Sequence, residues 1–390
     1  MKKLVICFIL MVAAAAAGFS ASEEVQVYEF LYNASPTHSG QLDILQNMAE
    51  SRLSGAGEFY AKALRKLVGE YRNIRDVTEK NAADEQAMLL SALLGAEKYT
   101  QAAPDLWLVV DGFTAPLVKA EAMMALGKIR AATYLPQVIR VLESTNAAPT
   151  TDRLNGERIA FGAIIALEKY ADASGYLPVF FSSIGWYSDR IRSQAAKSLP
   201  FISNNPAPYM LEVVKGSAYD YTAKYAALRT IEAARGVDSK EKVSVAVAAL
   251  SEGWRSATND VQLRSTLAEM RKMAIGMINR YKSDDEAIYP LLERSYNQGD
   301  IDEKRAAVAA LASQGTEEAA KRLSGYLMDL NSRNISGGTT QEGNQMVRLI
   351  IPAIGQTGQS VGRQALSAVS ASGWTNAVIA LANNALKQLR

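Results

Sequence analysis

The sequence predicts an all-α chain arranged as an α-solenoid, a superhelix of about eight or nine helical hairpins. Three observations lead there. Apolar residues recur at three- and four-residue spacing from about Leu42 to the C-terminal end, which is the period of a helix buried on one face. β-branched alternation is nearly absent, and its one candidate, Val243-Ser244-Val245-Ala246-Val247, runs straight into Ala248-Ala249-Leu250 and reads as helix. A small residue followed by Leu or Ile returns along the chain: Ala92-Leu93, Ala125-Leu126, Ala166-Leu167, Ser198-Leu199, Ala227-Leu228, Ala310-Leu311 and Ala353-Ile354. The spacing is roughly 30 to 43 residues with one double interval, whose missing copy falls in Met273–Tyr281, and such a period holds two helices and two turns.

From the N-terminus, Met1-Lys2-Lys3 precedes an apolar run from Leu4 to Ala17 and the small residues Gly18 to Ser22. A basic start, a short apolar core and small residues are the pattern of a cleaved secretory signal peptide. The run is about 14 residues, short of the roughly 20 needed to span a bilayer. Residues 1–22 are therefore expected to be removed, with Ala17 or Ala21 as cut points, and no later run is long enough to cross a membrane. Removal takes away Cys7, Lys2 and Lys3, leaving a cysteine-free chain with 40 basic and 40 acidic residues. An exported chain without disulfides is held by its core alone. Its charge balance argues against a nucleic-acid partner. The run Lys62, Arg65, Lys66, Arg72 and Arg75 reads as a solvated helix face.

Residues 23–41 carry Tyr28, Phe30, Tyr32, Pro36 and Gly40 without helical period and are expected to form an N-terminal arm on the first unit. The solenoid is expected to occupy residues 42–390. Within it, Pro104, Pro136, Pro178, Pro208 and Pro290 recur ahead of the small-residue helices. Proline suits the first turn of a helix, where its missing N–H has no intrahelical partner to lose. Each unit thus reads as a proline-started helix, a polar turn and an alanine-rich helix. In Lys119-x-x-Ala122-x-x-Ala125-Leu126, Arg192-x-x-Ala195-x-x-Ser198-Leu199 and Lys304-x-x-Ala307-x-x-Ala310-Leu311, the named positions fall on one side of a helix. Small residues there let a neighbouring helix approach closely while Leu fills the shared core. Residues 145–157, with Pro149 and Gly156, and residues 331–345 read as polar surface loops. Trp374 to Leu389 reads as a capping helix.

This pattern resembles HEAT repeats of the armadillo/HEAT-like superfamily. The closest copies run from Pro104 to Ile129, with Asp111, Val118-Lys119 and Ala125-Leu126-Gly127, and from Pro178 to Ile202, with Asp189 and Ile191-Arg192. A third, Pro290 to Gln314, has Asp300, Asp302 and Lys304-Arg305; elsewhere Ala160, Tyr221 and Val347 stand at the basic position. The resemblance implies that the alanine-rich helices line a concave face along which protein partners lie. It implies that Lys119, Arg192 and Lys304 form a ladder, pairing with the acidic turn first and contacting partners second.

Enzymatic chemistry has little to work with. His38 is the single histidine and sits in Ser35-Pro36-Thr37-His38-Ser39-Gly40, expected to be a surface turn. Without mature cysteines it cannot complete a zinc site. Asp284-Asp285-Glu286, Asp300, Asp302 and Glu317-Glu318 each precede a predicted helix and read as N-terminal capping and dipole-complementing groups. Gly355 to Gly362 lacks the Lys-Ser/Thr ending of a phosphate loop and reads as a turn. Asn33-Ala34-Ser35 and Asn334-Ile335-Ser336 match the N-glycosylation sequon. Trp107, Phe180, Phe181 and Trp186 read as core, while Trp254 and Trp374 sit at predicted turns and read as core with a partner anchor as the alternative. The sequence therefore points to an exported, non-catalytic protein-binding scaffold or assembly factor of the cell envelope, periplasmic in a bacterium or else secreted, with no cofactor or metal. A small-ligand or cofactor-binding solenoid, or a lyase-like enzyme, is the alternative.

Overall fold

A computed structural model describes residues 21–147, 149, 151–255, 258–283 and 285–390. The expected signal segment lies outside these residues except for positions 21 and 22. The described residues form α-helices joined by turns and single 3-10 turns, with no strand among them. The chain divides into two compact units, Met1–Asn204 and Asn205–Arg390.

The first unit holds α1 (Ala21–Ala34), α2 (His38–Glu50), α3 (Gly57–Glu70), α4 (Val77–Ala96), α5 (Ala103–Gly112), α6 (Pro116–Lys128), α7 (Leu135–Ala147), α8 (Arg153–Tyr170), α9 (Tyr176–Ile184) and α10 (Asp189–Ile202). Consecutive helices pair, α1 with α2 through α9 with α10. The even-numbered helices also pack on one another in sequence, α2 on α4, α4 on α6, α6 on α8 and α8 on α10. Of the odd-numbered helices, α3 packs on α5 and α7 on α9, whereas α5 and α7 approach less closely.

Local chemistry explains the boundaries. Pro104, Pro136 and Pro178 lie in the first turns of α5, α7 and α9, the position the sequence assigned to them, and Pro116, which the sequence reading did not single out, opens α6. The side chains of Thr37, Asp76 and Asp152 accept hydrogen bonds from the N–H groups of Gly40, Glu79 and Asn155 at the starts of α2, α4 and α8. Each satisfies a donor that the helix itself leaves unpaired.

The packing of the even-numbered helices depends on small residues. A Cβ added to Gly127 in α6 would lie 2.6 Å from both the Cα and the carbonyl oxygen of Ala166 in α8. One added to Gly162 in α8 would lie 2.5 Å from the Cα of Ala120 in α6. Beside these contacts Leu126 and Leu167 are fully buried. The motif shifts by one residue in α4. There Leu94 is buried and Leu93 half-exposed, and Gly95 approaches Ala125 of α6. Leu94-Gly95, not Ala92-Leu93, therefore matches Leu126-Gly127.

The second unit repeats the scheme with α11 (Ala207–Lys215), α12 (Tyr221–Ala233), α13 (Ser239–Arg255), α14 (Val261–Tyr281), α15 (Ile288–Gln298), α16 (Ile301–Gln314), α17 (Glu317–Ile335), α18 (Gln341–Thr357), α19 (Arg363–Ala368) and α20 (Asn376–Leu386). Consecutive pairs form from α11–α12 to α19–α20, and α12, α14, α16, α18 and α20 pack in sequence. Asp220, Asp260, Asp300, Thr316 and Thr340 cap α12, α14, α16, α17 and α18. Gly358, at φ 68°, closes α18 in the left-handed conformation that glycine adopts without a Cβ penalty. The missing copy of the repeat in Met273–Tyr281 is α14, where Ile278 is fully buried.

Three stretches depart from the sequence reading. Residues 23–41 are helical over most of their length, as α1 and the first turn of α2. The alternation of Tyr28, Phe30 and Tyr32 concealed the period, because only Tyr32 of the three is buried, edge-on to Phe59 at 5.4 Å, while Phe30 faces solvent. Of residues 145–157, the first three end α7 and the last five begin α8. Residues 331–345 shrink to a link between α17 and α18, because Asn331 and Asn334 hold the last turns of α17. Asn331 accepts from Trp374 Nε1 at 2.8 Å, and Asn334 donates to the Ser372 carbonyl at 2.8 Å. The second sequon asparagine is thus engaged within the fold.

Glycine at 127 is required by approach, and glycine at 69 is not, since a Cβ there meets nothing within 4 Å. Gly127→Ala is expected to destabilise the protein by about 1–3 kcal/mol through overpacking. Gly69→Ala is expected to be neutral or to stabilise by up to about 1 kcal/mol. Urea unfolding of the two variants beside the parent checks the pair.

Candidate functional site

Lys119, Arg192 and Lys304 are each the fourth residue of their helix, in α6, α10 and α16. The structure does not bring them together, and their surroundings differ. Arg192 pairs with Asp189 of its own first turn on the exposed surface. Lys304 reaches Glu342 in the first turn of α18 at 2.6 Å and so ties neighbouring helices. Lys119 has no ion-pair partner among the described residues and lines a cleft.

That cleft has a volume of about 410 Å³ and lies within the first unit, between α5 and α7 above α6 and α8. Trp107 and Val110 come from α5, and Lys119 and Met123 from α6. From α7 come Gln137, Arg140 and Val141, and from α8 Ile159. No carboxylate is among the lining residues. Trp107 is fixed by stacking on Tyr134, with ring centroids 5.8 Å apart. The Oε1 of Gln137 is buried without a hydrogen-bond partner among the described residues. The size falls in the range of small-ligand sites, which are apolar with a few placed polar groups.

Two buried ion pairs in the second unit were not legible in the sequence. Lys224, the fourth residue of α12, meets Glu252 of α13 at 2.7 Å with 4% and 7% of their side chains exposed. The base lies one turn after Tyr221, the position the small-residue motif assigned to it. Glu303 of α16 is fully buried and accepts from Arg271 Nε at 3.0 Å and Nη2 at 2.7 Å. Arg271 also donates to the Gly253 carbonyl at 2.9 Å and lies over the Trp254 ring, which Arg294 also approaches. Trp254 donates to Ser295 Oγ at 3.1 Å. These are interlocking contacts of α13, α14, α15 and α16, so Trp254 is a packing residue at the end of α13.

His38 is half-buried at the first position of α2. Its backbone N–H donates to Glu79 at 2.6 Å, its carbonyl accepts from Gln86, and its ring Nδ1 is buried without a partner among the described residues. Asp300 and Asp285 accept from backbone N–H groups two or three residues on, while Asp284 lies outside the described residues. Glu317 and Glu318 pair with Lys321 and Arg322. Among the described residues no group of three His, Cys, Asp or Glu side chains is placed to hold a metal ion. No helix of the described residues is long and apolar enough to cross a membrane.

Burial raises the Glu303 carboxyl above the usual carboxylate range, outweighing the opposing pull of Arg271. An acid raised on folding contributes stability that is complete below its ordinary pKa and is lost as pH rises through the raised value. The stability of the parent relative to Glu303→Gln should therefore fall from pH 4 to pH 8 in urea unfolding. A relative gain over that interval would mean that Arg271 dominates. No family model matches the chain, and comparison with curated proteins finds no match.

Proposed function

We propose that the protein is an exported HEAT-like α-solenoid that acts as a non-catalytic scaffold or assembly factor of the cell envelope, binding protein partners along its surface. The observation that carries this reading is the ladder of neighbour contacts within each unit. Each helical pair packs on the next through small residues, as Gly127 does on Ala166 and Gly355 on Ala385. A helical pair buries its apolar face only by stacking in this way, and stacked pairs offer long continuous surfaces for partners. In this reading the pairs from α3–α4 to α17–α18 are the repeating units, and α1–α2 and α19–α20 cap the ends.

The export assignment rests on the basic, apolar and small-residue order of residues 1–22. The periplasm is the expected compartment in a bacterium. The protein is expected to work without a cofactor.

The test is crosslinking in intact cells of the native host, with an affinity tag at the C-terminus. One stoichiometric envelope protein, joined through surface lysines of the even-numbered helices, is the expected result. Recovery of background proteins alone would overturn the stable-scaffold reading.

A further inference from the structure

We propose that the cleft between α5 and α7 is a binding site for an apolar residue bearing a carboxylate and an adjacent N–H, the chemistry of a peptide C-terminus or of a free N-acyl amino acid. Charge carries the first step. At the fourth position of their helices, Arg192, Lys224 and Lys304 each hold a carboxylate of this chain. Lys119 occupies the same position in α6 and holds none among the described residues. It faces the cleft instead, with Arg140 of α7 as a second cation lining it. Two cations around a partly enclosed space without a carboxylate favour an anion, because the low-dielectric walls strengthen attraction that bulk water would screen.

The walls specify the rest of the ligand. Trp107, Met123, Val141 and Ile159 line the same space, so an inorganic anion would leave apolar surface wet. A ligand with an apolar body buries it and gains about 25 cal/mol per Å² removed from water. The space of about 410 Å³ admits one large side chain with its backbone. Gln137 adds a donor requirement. Its Oε1 is buried among the lining residues without a partner, a state that costs free energy until an N–H or O–H arrives. A carboxylate alone cannot donate; the amide N–H of the same residue can.

The site lies over the packing of α6 on α8. α6 and α8 are drawn together by Gly127 and Gly162, while α5 and α7 above them approach less closely. The cleft is the space between the two outer helices, and Lys119 and Ile159 project from the two inner ones.

The experiment uses the full exported chain with the ring N–H signal of Trp107, assigned through Trp107→Phe, followed by NMR. N-acetylphenylalanine is titrated beside its uncharged C-terminal amide. The free acid is expected to shift the signal saturably and to bind at least tenfold more tightly than the amide. Lys119→Met/Arg140→Met, which keeps the apolar stems, should lose that preference while keeping the parent's helical circular dichroism. Val141→Trp, which fills the cleft and leaves both cations, should abolish binding of both compounds. Absence of a saturable shift, equal binding of acid and amide, or unchanged binding by the double variant would each overturn the proposal. A hexapeptide ending in phenylalanine distinguishes the sources. Tighter binding than the acetyl amino acid identifies a chain terminus, and weaker binding a free small acid.

Discussion

The close approach of the even-numbered helices is the constraint on which the remaining structure depends. Between α6 and α8 the backbones meet where no Cβ could stand, at Gly127 against Ala166 and at Gly162 against Ala120. Contacts this close bring many atoms into van der Waals range and leave Leu126 and Leu167 without solvent. They also leave no room for adjustment, since interiors at this density respond to one added methyl by moving backbone. The cleft lies over α6 and α8, between α5 and α7.

Charge contributes pairing specificity more than net stability. Lys224–Glu252 and Arg271–Glu303 join helices that are neighbours in the stack, and both are withdrawn from water. Desolvating such pairs offsets much of their attraction, whereas stranding one partner costs about 3–5 kcal/mol. A helix docked on the wrong neighbour would strand one. Gly299 supports this arrangement, because a Cβ there would lie 2.4 Å from Glu303 Oε2. The exposed pairs, such as Lys62–Glu58 and Lys321–Glu317, lie within single helices and add little.

The helical class was legible because it depends on local pattern. Proline in the first turns of α5, α7, α9, α11 and α15 and the recurrence of Ala-Leu or Leu-Gly are short-range signals. Features that depend on distant partners were not legible. Glu252 and Glu303 find their bases 28 and 32 residues away, and no spacing rule links them. α1 was missed because an exposed Phe30 beside a buried Tyr32 breaks its apolar stripe. His38 read as a surface turn because its partners, Glu79 and Gln86, belong to α4. The three-base ladder was legible as a position but not as a site. Only the surroundings show that two of its members are satisfied and that Lys119 faces open space.

In the solenoid proposed for this protein each helical pair depends on its immediate neighbours alone. In an array of this kind stability sums over units and interfaces, and an end can be removed without collapse. A globular bundle shares one core and loses cooperativity when any part of it is deleted. The most direct test is thermal unfolding, followed by circular dichroism, of a chain ending at Gly358 and so lacking α19 and α20. Helical signal is expected to fall in proportion to the residues removed, with a cooperative transition that persists at a lower temperature. Loss of the cooperative transition, with helical signal falling far more than the deletion explains, would contradict the proposed solenoid.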